Sequence, residues 1–176
     1  MQKQPVVVLN ISNYNEEEVY STINRGVALL GGIEKFCQPG DKILLKPNFL
    51  APDTPEKATT THPSIFKAVA RIFQDAGANL TYGDSPSMWR PIVVARSSGI
   101  ASVADAMHIP LDDFESGSDI SFPEGHQNQQ FRIAQGVLNC DGLISISKMK
   151  THSFTRLTGA IKNQFGCIPG VLKAEF

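Results

Sequence analysis

KILLKP, residues 42–47, decides the fold: an Ile-Leu-Leu run framed by two lysines and closed by a proline. A run this short and this apolar reads as a buried strand, and Pro47 removes the donor that would continue its ladder. NLTYG (79–83) and GLISIS (142–147) read the same way. Between the first two strands, Pro63 stands at the first position of a predicted helix, with Thr61 or His62 as its cap. Ile65, Val69, Ile72, Phe73 and Ala76 form the buried face of that helix, and Gly77 closes it. Strand, helix and strand in this order make a βαβ unit. The fold class is therefore α/β, a mostly parallel β-sheet with helices on both faces.

Outward from this unit the pattern continues. PVVVLNI (5–11) is β-branched and predicts another buried strand. Asn15 precedes Glu16, Glu17 and Glu18, acids suited to the positive end of a helix. Val19, Ile23, Val27 and Leu30 then give that helix an apolar stripe, which ends at Gly31-Gly32 or at Pro39-Gly40. Residues 48–62 hold two prolines and three consecutive threonines and predict a long loop, a length that usually accompanies function. Residues 91–108 read as helical despite Gly99, 110–114 and 131–137 as strands, and 115–130 as a loop or irregular hairpin. A last helix is expected from Phe154 to Phe165, ended by Gly166. No internal repeat is evident, so residues 1–176 are expected to form a single α/β domain. The chain stops at Ala174-Glu175-Phe176 directly after a Pro-Gly turn and without a polar tail, as a truncated domain would.

Composition removes several function classes. Lys and Arg total 16 against 17 Asp and Glu, a formal net charge of −1, which argues against a general nucleic-acid binder. With 41% hydrophobic and 19% charged residues the chain can bury a core. No stretch approaches the roughly 20 apolar residues of a membrane span, and the opening residues turn acidic too soon for a signal peptide. The expectation is a cytoplasmic protein with neither membrane nor nucleic acid as partner. Cys37, Cys140 and Cys167 are too few and too widely spaced for a disulfide framework, a zinc site or a CxxCxxC cluster run, so no cofactor is expected in this chain.

The near-zero charge conceals two unlike parts. Residues 1–141 carry a formal −5, and residues 142–174 carry +5 without one Asp or Glu. The three central strands also end in polar residues: Lys46-Pro47-Asn48, Gly83-Asp84-Ser85-Pro86 and Ser147-Lys148-Met149-Lys150. In an open parallel sheet, ligands bind outside those carboxyl ends. Lysines there would supply point charges for carboxylate or phosphate, although strand-exit loops often carry Lys, Asp and Ser without binding anything. Thr151, Ser153, Thr155 and Thr158 would add hydroxyl donors at the start of the last predicted helix. His62 and His152 lie in or beside these loops and could act as acid or base, though His62 before Pro63 would equally serve as a helix cap. A metal site on His62, Asp84 and His152 is conceivable, but no ligand spacing demands it. Neither GxxxxGK[ST] nor GxGxxG occurs, which argues against an ordinary ATPase or dinucleotide fold.

Taken in order, Lys46-Pro47-Asn48-Phe49-Leu50, Thr60-Thr61-His62-Pro63, Ala76-Gly77-Ala78 with Gly83-Asp84-Ser85-Pro86, Lys148-Met149-Lys150-Thr151-His152, and Thr158-Gly159-Ala160-Ile161-Lys162-Asn163-Gln164-Phe165-Gly166 resemble the Domain of Unknown Function 362 family. The resemblance runs from about residue 40 to residue 176. Many members carry a ferredoxin segment, so it implies that an iron–sulfur cluster would sit in a missing segment or on a partner. The family domain normally continues past the Lys-Asn-Gln-Phe-Gly block, which implies a missing C-terminal continuation. No settled reaction comes with the family.

Two functions are weighed on these residues. The first is an enzyme-like domain that binds a small anionic ligand. Lys46, Lys148, Lys150, Lys162 and Asn163 would hold it with Asn48 and Ser85, and His152 or His62 would act as acid or base positioned by Asp84. The alternative is a redox or scaffold module that docks a ferredoxin-type domain or partner.

Overall fold

The computed structural model of the chain describes residues 4–153 and 155–175. Its centre is the expected βαβ unit: strand β1 (Lys42–Pro47), helix α2 (Pro63–Asp75) and strand β2 (Asn79–Tyr82), preceded by helix α1 (Glu16–Leu29). Helices α3 (Pro91–Ser97) and α4 (Ile100–Ala106) follow β2, and then the antiparallel hairpin β3 (Gly117–Ser121) and β4 (Gln130–Ala134). The one-turn helix α5 (Gln135–Leu138) leads into strand β5 (Gly142–Ile146). A second hairpin, β6 (Lys150–His152) with β7 (Arg156–Thr158), and the short helix α6 (Ala160–Asn163) complete the order.

β1 lies between β2 and β5, parallel to both, in register Lys42 with Asn79 and Ile43 with Gly142. Alternation along β1 sends Ile43 and Leu45 to one face of the sheet and Leu44 to the other. The first face packs on Phe66, Ala70 and Phe73 of α2 and on Ile100, Ala101 and Ala104 of α4. The second is covered by Phe114, by Ala134 at the end of β4 and by Val137 of α5. β1 is buried along both faces, which is why its sequence is a continuous apolar run rather than an alternating one.

Local chemistry explains the helix ends. Asn15 caps α1 by accepting from the Glu18 N–H, with three glutamates in the first turn. α2 starts at Pro63 with His62 as cap. The helical stretch 91–108 is two helices rather than one, because Gly99 at φ 76° breaks it.

Three expectations need correction. Residues 5–11 form no strand: the segment is unpaired and lies against α1, where Leu9 closes on Gly26, while Val6 and Val8 are 84% and 89% exposed. β-branched residues favour extended backbone, but a strand needs a neighbour to pair with. Residues 110–114 contribute a single parallel bridge, Leu111 beside Tyr82. The helix expected over 154–165 is instead the strand β7 followed by the single turn α6 (Phe154 itself lies outside the described residues). Thr151, Thr155 and Thr158 are stiff β-branched residues that pack well on a pleated ribbon, and Arg156 adopts a left-handed φ of 66° that no helix interior accepts.

Candidate functional site

In a strand order of β2-β1-β5 the chain leaves β1 toward β2 on one side and returns to β5 on the other, so the crevice at the carboxyl end of β1 is a switch point of the topology. Its deepest element is an ion pair. Lys46, with no exposed surface, donates to Asp84 Oδ1 at 2.6 Å and to the carbonyl of Asn163 at 2.5 Å. Asp84 Oδ2 accepts from the Phe49 N–H at 2.7 Å, so both carboxylate oxygens are engaged. Gly166 is required here: a Cβ on it would lie 1.8 Å from Asp84 Oδ1 and 2.6 Å from Lys46 Nζ.

Around this pair, Asn163 ties the strand exits together. Its side-chain amide donates to the Lys46 carbonyl at 3.3 Å and to Ser145 Oγ at 2.9 Å, and its oxygen accepts from Asn48 Nδ2 at 3.3 Å. Thr61 does the same from the loop, accepting from the Asn48 N–H at 2.9 Å and donating to the Ile146 carbonyl at 2.6 Å.

Above these bonds lies a cavity of about 110 Å³, lined among others by Asn48, Ser85, Lys150, His152, Lys162 and Lys173. The hairpin explains the delivery of three of its groups. Register pairs Lys150 with Thr158 and His152 with Arg156, and the two-residue period puts Lys150, His152 and Thr158 on one face. Lys150 donates to Asn48 Oδ1 at 2.6 Å and to the Thr59 carbonyl. Burial pushes its ammonium down to about 8, with help from Lys148 and Lys162 and against Asp84. Burial likewise brings Lys173 down to about 8. His152 is held below the ordinary histidine value by burial and then by Lys162 and Lys150, and its Nδ1 accepts from the Thr155 N–H at 3.1 Å. The hydroxyl of Thr158 is buried in the cavity wall and has no hydrogen-bond partner among the described residues.

The geometry therefore gathers Asn48, Asp84, Ser85, Lys150, His152, Lys162 and Asn163 at one cavity. Lys46 lies beneath it, fully buried and paired with Asp84. Asp84 pairs with Lys46 and orients neither histidine by a direct bond. Lys148 and His62 are not in the cavity wall. His62 caps α2, accepting from the Ser64 N–H at 3.2 Å, and its ring stacks on Tyr14 at 3.7 Å. Burial, then Lys148, lowers the His62 pKa. The sequence marks Thr61 only as a helix-cap candidate, Thr158 as a hydroxyl donor at a helix start, Gly166 as a helix stop and Lys173 as part of the acid-free segment, and gives none of them the place it takes here. Among the described residues no three His, Cys, Asp or Glu side chains gather as a metal site, and none of the helices is long and apolar enough to cross a membrane.

Residues 43–176 match the family described as Domain of unknown function (DUF362), and the chain belongs to that family. It is similar to the thylakoid-associated protein sll1697 of Synechocystis, with 31% identity over 169 residues, covering 96% of this chain and 52% of the relative. The chain thus spans about half the length of that curated relative. No solved structure matches it.

Proposed function

We propose that the domain binds a small anion, a carboxylate or a phosphate group, in the cavity at the carboxyl ends of β1, β2 and β5. The observation that carries the reading is the imbalance of charge in the wall. Lys150, Lys162 and Lys173 face a cavity whose one carboxylate, Asp84, is already neutralised by Lys46. Three cations without an acid of their own in a partly dehydrated space attract an anion strongly, because charge interactions there are weakly screened. A cavity of about 110 Å³ holds an inorganic anion or one anionic headgroup, far below the ~300 Å³ at which pockets for whole organic ligands begin.

His152 supplies an acid or base at the cavity rim, its pKa lowered by burial and then by Lys162 and Lys150. A cytoplasmic, reducing setting suits the three free cysteines, all of whose thiols are pushed up by burial. The docking of a ferredoxin-type domain rests on the family likeness and draws on none of this geometry.

Calorimetric titration with inorganic phosphate and with acetate tests the reading. At least one should bind, more weakly as salt rises, and Lys162→Gln should weaken it by about tenfold. Failure of both to bind with a Kd below about 10 mM at low salt would sink the proposal.

A further inference from the structure

The anion cavity does not stand alone. A groove of about 410 Å³ adjoins it, and the two share Ser85, Pro86 and Ser87 as a common wall. That wall is fixed from both sides: the Ser85 N–H donates to the Gly166 carbonyl at 3.3 Å, and Ser85 Oγ accepts from the Gly170 N–H at 2.7 Å.

Beyond the shared wall the chemistry changes. The groove is lined by Met88, Trp89, Phe114, Pro169 and Val171. Its two charged residues, Arg90 and Glu115, satisfy each other through a two-pronged pair at 2.9 and 3.1 Å, leaving no charge there in need of a partner. Met88, Trp89 and Val171 are 87%, 49% and 72% exposed. Scattered singly they would mean nothing, but they share one depression whose volume lies in the range of organic-ligand pockets. On the polar side, the buried Thr158 hydroxyl meets no partner among the described residues, and a ligand oxygen in the cavity would satisfy it.

We infer that cavity and groove form one site for an organic anion. Its carboxylate or phosphate is held by Lys150, Lys162 and Thr158, and its aryl or short alkyl group lies on Trp89, Met88 and Val171. This rests on the anion reading above and extends it from a bare anion to an amphipathic one. The charged head is desolvated only in the small cavity, and the tail only in the apolar groove, so neither half alone binds as well as the joined molecule.

The chain has a single tryptophan, so emission from Trp89 reports on the groove and on nothing else. Two matched pairs, inorganic phosphate with phenyl phosphate and acetate with benzoate, are titrated into the full chain by calorimetry and by fluorescence. At least one tailed anion should bind roughly tenfold more tightly than its tailless partner and shift or quench Trp89 emission, while the tailless partner leaves emission unchanged. Thr158→Val should weaken both members of that pair. Val171→Asp should weaken only the tailed one, and circular dichroism checks that both variants fold. If the bare anions bind and neither tail adds affinity or disturbs Trp89, the inference is overturned and the anion reading survives. If no anion of either kind binds, both are lost.

Discussion

The two ends of the sheet solve opposite problems. Where parallel strands begin they leave N–H groups unpaired, and acids answer them: Asp141 accepts from the Lys42 N–H at 2.9 Å, and in the turn before β1 Asp41 accepts from the Gln38 N–H at 2.7 Å. Where the strands end they leave carbonyls, and donors answer those. The strand-end carbonyls of Lys46 and Ile146 receive Asn163 and Thr61, and beside them the helix-end carbonyl of Asn163 and the loop carbonyl of Thr59 receive Lys46 and Lys150. The depression beside the strand starts is the roomier, about 370 Å³ against 110 Å³, but Glu34 and Asp75 are its charged lining residues. Its nearby thiol, Cys37, is pushed up by burial and then by Asp41 and Glu34. Size does not pick out the candidate site here. Backbone polarity selects the side chains at each end, and the carboxyl end is left with a surplus of cationic donors.

The sharpest way to break this contrast is Lys46→Met. It strands a buried carboxylate and should cost about 3–5 kcal/mol in urea unfolding, whereas Asp75→Asn at the other end should stay within about 0.5 kcal/mol. Equal losses at the two ends would erase the distinction. Gly166→Ala forces a methyl group into the Lys46–Asp84 pair and should cost about 1–3 kcal/mol while abolishing anion binding.

Lys150→Met leaves Asn48 Oδ1 and the Thr59 carbonyl without their donor, and should cost about 1–2 kcal/mol while reducing anion affinity by about tenfold, as read by titration. For the unaltered chain, affinity should fall as pH rises through about 8, where Lys150 and Lys173 lose their protons. Stability moves the other way. The folded-state values of about 8 lie below the ordinary lysine value of 10.5, so between them the unfolded chain holds protons that the folded one has released. Unfolding free energy should therefore gain a rising contribution with pH from 8 to 10.5, and a falling one would contradict the burial of both amines. The smallest effect is expected from Thr158→Val, which removes an unpartnered hydroxyl and should leave unfolding unchanged or raise it by up to about 1 kcal/mol.

What could be read without coordinates follows the same contrast. KILLKP announced itself because a strand buried on both faces of a parallel sheet must be apolar throughout, and NLTYG and GLISIS did so as short runs bounded by glycine or polar residues. Their polar exits pointed to the cavity because that end of the sheet gathers donors. PVVVLNI misled because apolar character says nothing about whether a pairing neighbour exists. Residues 150–158 misled because a hairpin of three-residue strands is too short to show its period. Gly166 was legible only as a helix stop and the end of a family block, since its true need arises from side chains 120 and 82 positions earlier, and Thr158 was mistaken for a helix-start donor. Lys46 was legible as part of a site but not as its floor, because sequence cannot distinguish a lysine that meets a ligand from one that meets an aspartate.

The Lys46 ammonium joins partners that lie 38 and 117 residues away along the chain. A chain emerging from the ribosome presents Lys46 and Asp84 long before Asn163 is made. Until then the ammonium has no carbonyl to complete its shell and keeps its water. Closing such distant contacts is the slow part of folding. The cavity wall is therefore complete only once synthesis has passed residue 173, and an anion that binds it would tell the closed cavity from the earlier, open chain.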